Sequence, residues 1–218
     1  MKTIQRIFLP LAILFSFQAC SSPQSSTTSS NTDMEASANQ TTDTAYLAAG
    51  CFWCIEAIFQ DLKGVISVTS GYTAGQVKNP TYKEVCTGLT GHAEAARIIF
   101  DPTIISFDEL LEVFWKTHDP TTLNRQGADS GTQYRSGIYY ISEVQKVTAE
   151  KYKSELDAEG AFENPIVTEI QAFDGVFYVA EDYHQNYYKQ NGDQGYCRMV
   201  IRPKVEKFKK VFGDKLKD

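Results

Sequence analysis

The 218-residue sequence predicts an α/β domain of the α+β kind, a two-layer sandwich of helices packed on a mixed sheet. Three observations carry this reading. Short apolar runs of strand character alternate along the chain with longer segments whose apolar residues recur at helical spacing. Helical segments open on Ser-x-x-Glu or Ser-x-x-Gln capping signals or close on glycine. There is no internal repeat, and 42% apolar with 22% charged residues is ordinary globular composition, sufficient for one core.

Taken in order, "TAYLAAG" reads as a strand ending at Gly50. "CFWCIEAIFQDLKG" reads as a helix with Ile55, Ile58 and Phe59 at core spacing and Gly64 as its stop. "VISVTSGY" is a second strand, and "NPTYKEVCTGLTG" has the chemistry of turns. "HAEAARIIFDP" is a strand closed by Asp101-Pro102, and "SFDELLEVFWKTH" is a helix opened by a capping box from Ser106 to Glu109. "RSGIYYIS" is strand-like, and a helix from Ser142, boxed with Gln145, stops at Gly160. "PIVTEIQAF" alternates as a strand, and "AEDYHQNYYKQNG" reads as a helix. In the lysine-rich end, Val205, Phe208 and Phe212 turn inward from a solvated helix face. Residues 119–134 have no element of their own; a long polar stretch inside a compact domain is usually functional.

The first 43 residues stand apart from the fold. Residues 1–20 carry Lys2 and Arg6, then the apolar run "IFLPLAILFSF", short for a membrane span but of signal-peptide length. Ala19 before Cys20 resembles a bacterial lipoprotein cleavage site, although Phe17 and Gln18 depart from its usual residues. Cys20 would then be the lipidated N-terminus, and residues 21–43, rich in Ser, Thr and Asn, a flexible tether. The expected arrangement is a lipoprotein-type signal peptide (1–20), a polar linker (21–43) and a catalytic domain (44–218), exported to the cell envelope and lipid-anchored facing the periplasm. The net charge of −6 offers no basic face for nucleic acid.

Four cysteines remain in the domain, Cys51, Cys54, Cys86 and Cys197, in a compartment where disulfides persist. Cys51 opens a helix, where free N–H groups and the helix dipole favour the reactive thiolate. Cys54 lies three residues on, on the same face; a structural disulfide is the alternative. Glu94 shares a strand face with Ala96, Ile98 and Phe100, so burial is expected to raise its pKa and make it a proton donor near neutral pH. The alternative is a core carboxylate paired with Arg97 or Arg135. Some of the many tyrosines are placed to donate hydrogen bonds to a developing oxyanion, the rest being packing residues. His92, His118 and His184 are scattered and no Cys/His spacing resembles a zinc site, so no metal is expected.

"GCFWC", "GHAEAARIIFDP", "HDPTTLNRQGADSGTQYRSGIYY" and "AEDYHQNYY" occur in family order and together resemble peptide methionine sulfoxide reductase A, over about residues 45 to 205. Ala128 and Ser130, beside Asp129, depart from the family's usual residues. The resemblance implies a ferredoxin-like sandwich and reduction of the S epimer of methionine sulfoxide, free or in proteins. It implies that Cys51 attacks the sulfur, that Glu94 protonates the oxygen with Tyr82 and Tyr134 as donors, and that Phe52 and Trp53 receive the methyl group. Asp129 and His184 match positions near the substrate. Cys51 is left as a sulfenic acid that a second thiol closes to a disulfide; no bound cofactor is implied, and a thioredoxin-like protein, or dithiothreitol, restores the thiols. Relatives resolve with a cysteine at the near position or in the tail, and this chain has both, Cys54 and Cys197. Cys54 is preferred because it lies one helical turn away; Cys197 follows glycines and reads as part of a mobile segment, and Cys86 as a small buried core residue. The C-x-x-C alone would also suit a thiol–disulfide oxidoreductase, or a lipid-tethered binding module stapled by Cys51 and Cys54.

Overall fold

The computed structural model describes residues 41–217. The signal peptide, Cys20 and nearly all of the linker lie outside the described residues. In chain order the elements are β1 (Asp43–Ala49), α1 (Phe52–Phe59), β2 (Val65–Thr73), α2 (Tyr82–Cys86), β3 (Ala93–Phe100), α3 (Phe107–Thr117), β4 (Arg125–Gln126), β5 (Asp129–Ser130), β6 (Ser136–Tyr140), α4 (Glu143–Ala158), β7 (Glu169–Ala172), β8 (Phe177–Val179), α5 (Tyr187–Asn191) and α6 (Arg202–Val211).

Among these residues six strands form one sheet in the order β7-β6-β1-β3-β2-β8, and β4 and β5 form a separate two-stranded pair. β6 and β7 run parallel; every other neighbouring pair is antiparallel. The central strands β6-β1-β3-β2, connected through α1 and α3, have the βαββαβ order of the ferredoxin-like fold. The edge strands β7 and β8 are four and three residues long.

Period-two patterning sets the two faces. Ala45, Leu47 and Ala49 of β1 and Ala96, Ile98 and Phe100 of β3 pack into one large core with Ile55, Ile58, Leu110, Phe114, Val205 and Phe208 from the helices. On the opposite face Ala48, Ala93, Ala95 and Tyr139 form a small second cluster, covered by Phe173 and Phe177. Tyr46 stacks on Phe173 there, with ring centroids 4.0 Å apart.

The capping signals act as read. Ser106 and Glu109 form a reciprocal capping box on α3, and Ser142 accepts from the Gln145 N–H on α4. The Gln145 side chain reaches the N–H of Ile141 instead of the cap residue. Val205, Phe208 and Phe212 are buried as the helix-face reading requires.

Several expectations are corrected. The "turn" segment holds α2, with a capping box between Thr81 and Glu84. The polar stretch 119–134 contains the β4–β5 pair and a 3₁₀ turn at Thr132–Tyr134. "AEDYHQNYYKQNG" is not one helix. A 3₁₀ turn (Asp182–His184) and α5 are separated by Asn186 in the left-handed region (φ 53°), which no continuous helix accommodates. Cys86 is exposed, since at the end of α2 it is Val85 that turns into the core. Cys197 does not lie on a loose segment: it is fully buried and opens a π-helical turn, Cys197–Ile201, running into α6.

Candidate active site

The site is assembled where β1 ends and α1 begins. Gly50 makes the turn at φ +86°, and a Cβ there would lie 2.5 Å from the Cβ of Gln126, so the chain passes hard against the 119–134 loop. Gln126 is fixed in turn, accepting from the Asp119 N–H (3.1 Å) and donating to the Asp119 carbonyl (2.9 Å). Cys51 is the N-cap residue of α1 and is buried.

Glu94, on the helix-facing side of β3 and 1% exposed, accepts a hydrogen bond from the Phe52 N–H at 3.1 Å. It therefore takes up one of the free donors of the α1 N-terminus. Burial raises the Glu94 pKa to about 8 against the lowering effect of that bond, helped by the charges of Asp129 and Cys54. Neither Arg97 nor Arg135 neutralises it. Arg135 pairs with Glu169 at 3.0 Å, and Arg97 lies over the Phe177 ring on the far face of the sheet.

The thiols depart from expectation. Burial first, then the hydrogen bond with Cys54 and the Glu94 charge, push the Cys51 thiol well above its ordinary value. The helix start does not make Cys51 the resting thiolate, because burial outweighs it, and the Phe52 N–H beside it bonds to Glu94. Cys54 moves the other way. The hydrogen bond from Cys51 lowers its pKa more than burial raises it, and Lys204 helps, its Nζ standing 3.7 Å from the Cys54 sulfur. The pair thus carries its first negative charge on Cys54, with the Cys51 thiol donating to it.

A cavity of about 290 Å³ opens over Cys51. Phe52 and Trp53 line it with apolar rings, and Glu94, Tyr82, Tyr134, Asp129, Tyr187 and Tyr196 line it as well. Burial holds both Tyr82 and Tyr134 well above the ordinary tyrosine range, so both remain donors. Trp53 stacks on Tyr187 (centroids 3.6 Å, planes 6° apart) and meets Tyr196 edge-on at 5.8 Å. Tyr196 donates to Asp129 at 2.7 Å and also reaches the Cys51 sulfur.

The structure therefore brings Cys51, Phe52, Trp53, Tyr82, Glu94, Asp129 and Tyr134 to one cavity and leaves His184 behind it. His184 is buried, and its Nδ1 accepts from the Trp53 indole N–H at 3.2 Å. Its ring also packs against Tyr82 at 4.4 Å. It orients two walls of the cavity and does not line it. Tyr187 and Tyr196 were among the many tyrosines of the sequence and carried no mark of their own; aromatic residues flanking the GDQG turn were the available signal. Glu181 was also missed. It accepts from the Tyr82 N–H at 2.8 Å and the Tyr72 hydroxyl at 2.9 Å, anchoring α2 over the site. Among the described residues no group of three or more His, Cys, Asp or Glu side chains is arranged to hold a metal ion.

The family described as peptide methionine sulfoxide reductase matches residues 43–216. A peptide methionine sulfoxide reductase MsrA of Deinococcus radiodurans is 57% identical over 173 residues, covering 79% of this chain and 84% of the relative. One of Picrophilus torridus is 52% identical, covering 80% and 97%. Among solved structures, methionine sulfoxide reductase A of Corynebacterium diphtheriae is 40% identical with a TM-score of 0.64, covering 72% of this chain and 78% of that one. Mxr1 of Saccharomyces cerevisiae in reduced form is 35% identical with a TM-score of 0.67, covering 72% and 89%.

Proposed function

The chain belongs to the peptide methionine sulfoxide reductase family, and from that premise we propose that it reduces the S epimer of methionine sulfoxide, free or within proteins, with Cys51 as nucleophile and Glu94 as acid. The observation that carries this is the meeting of Cys51 and Glu94 in one aromatic cavity, the carboxyl tied to the N–H beside the thiol and protonated up to about pH 8. A sulfoxide has an apolar methyl and a polar oxygen on one sulfur. Phe52 and Trp53 suit the methyl; Glu94, Tyr82 and Tyr134 suit the oxygen.

The proton inventory gives a balanced sequence. Cys51 passes its proton along the hydrogen bond to Cys54 as its sulfur attacks the substrate sulfur, and Glu94 protonates the oxygen. Methionine leaves and Cys51 holds the oxygen as sulfenic acid. Cys54 returns its proton to Glu94 and attacks the Cys51 sulfur; hydroxide departs and takes the Glu94 proton as water. The substrate has gained two electrons, and the two thiols have become the Cys51–Cys54 disulfide. A thioredoxin-like donor, or dithiothreitol, reduces it by exchange. Cys197, buried in the turn beside Cys54, is the candidate for carrying the disulfide outward.

The basic start, apolar run and Ala19-Cys20 pair support export, lipid anchoring at Cys20 and repair of oxidised envelope proteins. If so, Cys20→Ala abolishes membrane fractionation and leaves the reductase intact.

The deciding experiment supplies R and S epimers of a peptide sulfoxide with dithiothreitol to wild type, Cys51→Ser and Glu94→Gln. Methionine formed from the S epimer alone, and lost in Cys51→Ser, is expected. Disulfide exchange on a protein substrate with no methionine formed would make the chain a thiol–disulfide oxidoreductase instead.

A further inference from the structure

We infer that Lys204 is a catalytic residue of the recycling half of the reaction, holding Cys54 as the thiolate that closes the disulfide. The inference rests on Cys54 being the resolving thiol. The Cys54 sulfur is deep in the core, 3% exposed, where an anion is costly without a cation. Lys204 supplies one, its Nζ 3.7 Å away and itself half-buried.

The fold fixes that placement. Pro203 starts α6, and Val205 and Phe208 sink into the core, which sets the helix rotation and turns Lys204 toward α1. A cavity of about 110 Å³ between α3 and α6 is lined by Lys116, Lys204 and Lys207 against Phe208 and Phe212. Three ammonium groups on one small cavity repel one another. Lys116 is paired with Glu112 on its own helix at 2.8 Å. The polar partner of the Lys204 Nζ is sulfur. A lysine on a redox-inert thiol would be an expensive way to satisfy an ammonium; on a thiolate it is an ion pair.

The other groups around Cys54 act in both directions. Cys51 on α1 donates to it, and Asp129 on β5 opposes its charge. Glu94 on β3, Tyr196 and Cys197 in the C-terminal turn each sense a negative Cys54 as a penalty on their own ionisation. His118, at the end of α3, is held neutral by burial and by Lys204. In the reduced pair the Cys51 hydrogen bond lowers the Cys54 thiol most, and Lys204 is the cation that adds to it; once Cys51 is oxidised and that thiol donor is gone, the Lys204 charge remains to favour the thiolate. In closure Cys54–S⁻ attacks the Cys51 sulfur, the S–O bond breaks, hydroxide leaves and is protonated, and the lysine keeps its proton throughout.

The test uses the full chain, reduced and mixed with one equivalent of a peptide S-sulfoxide, and follows disulfide closure against pH by rapid quench and peptide mapping. An opposite charge at this range shifts a thiol by about one unit or more, so Lys204→Met should move the pH midpoint of closure up by about one unit and slow closure about tenfold at neutral pH. Lys204→Arg should keep both near wild type. One equivalent of methionine released by each variant shows that it is folded. Closure of Cys51–Cys54 in Lys204→Met at the wild-type rate and midpoint overturns the role of Lys204 alone. A Cys51–Cys197 bond in rapidly quenched wild type overturns the choice of Cys54 and this inference with it.

Discussion

At the scale of single residues, Glu94 is defined by two opposed influences. Burial raises its pKa and the Phe52 N–H lowers it, and burial wins. In the proposed role of acid it would lose function as pH rises through about 8. Single-turnover sulfenic acid formation in wild type should therefore decline across that range. Glu94→Gln should lack that limb and react roughly 10²–10⁴-fold more slowly, the scale of a lost general acid. Gly50 makes a different demand. At φ +86°, with Gln126 filling the space a Cβ would need, Gly50→Ala should cost about 1–3 kcal/mol. Urea unfolding would measure the loss, and the paired change Gln126→Gly, which removes the Cβ and Cγ in the way, should recover only the steric share. The face assignment that placed Glu94 was legible in the sequence, because period two is rigid geometry. The direction of the Cys51 shift was not. It depends on how deeply the folded chain buries the thiol and on the charges brought beside it, Glu94 from the distant strand β3 among them.

At the scale of elements, the long ones could be read, and of the short ones only β6 and β7, whose strand patterns run past their paired residues. β1, β2, β3, α1, α3 and α4 announce themselves by period and punctuation. α2 has five residues, and β8 has three, so neither completes enough repeats to show a period. The Thr81–Glu84 box was nonetheless present in "NPTYKEVC", hidden by the stronger turn signal of Asn79-Pro80. Its importance is local. α2 presents Tyr82 to the cavity, anchored by its cap and by Glu181. Thr81→Ala should destabilise the helix by about 1 kcal/mol, the typical value of a lost cap. Hydrogen exchange at the Val85 amide, which bonds to the Thr81 carbonyl, should speed up about fivefold, while the global melting temperature barely moves.

At the scale of the whole molecule, buried ionisable groups set how stability varies with pH. Glu94 is raised from 4.5 to about 8, so the folded state holds a proton that the unfolded state releases, and stability falls as pH rises through that window. Glu56 is also raised by burial and acts in the same sense. His118, lowered from 6.5 to about 4, acts oppositely: stability falls as pH drops from 6.5 towards 4. Between 4.5 and 6.5 the Glu94 and His118 effects oppose each other; above 6.5 the His118 effect is spent while that of Glu94 continues to about 8. Urea midpoints of wild type should therefore drop between pH 6.5 and 8, and those of Glu94→Gln should drop much less. The sheet borders carry a last consequence. β7 and β8 expose only four and three residues of backbone at the two sides of the described sheet. A long free border is a template on which a partly opened chain with bare strands can build a ladder. Borders this short give such a chain almost no backbone to pair with, so this sheet is a poor seed for mixed aggregates.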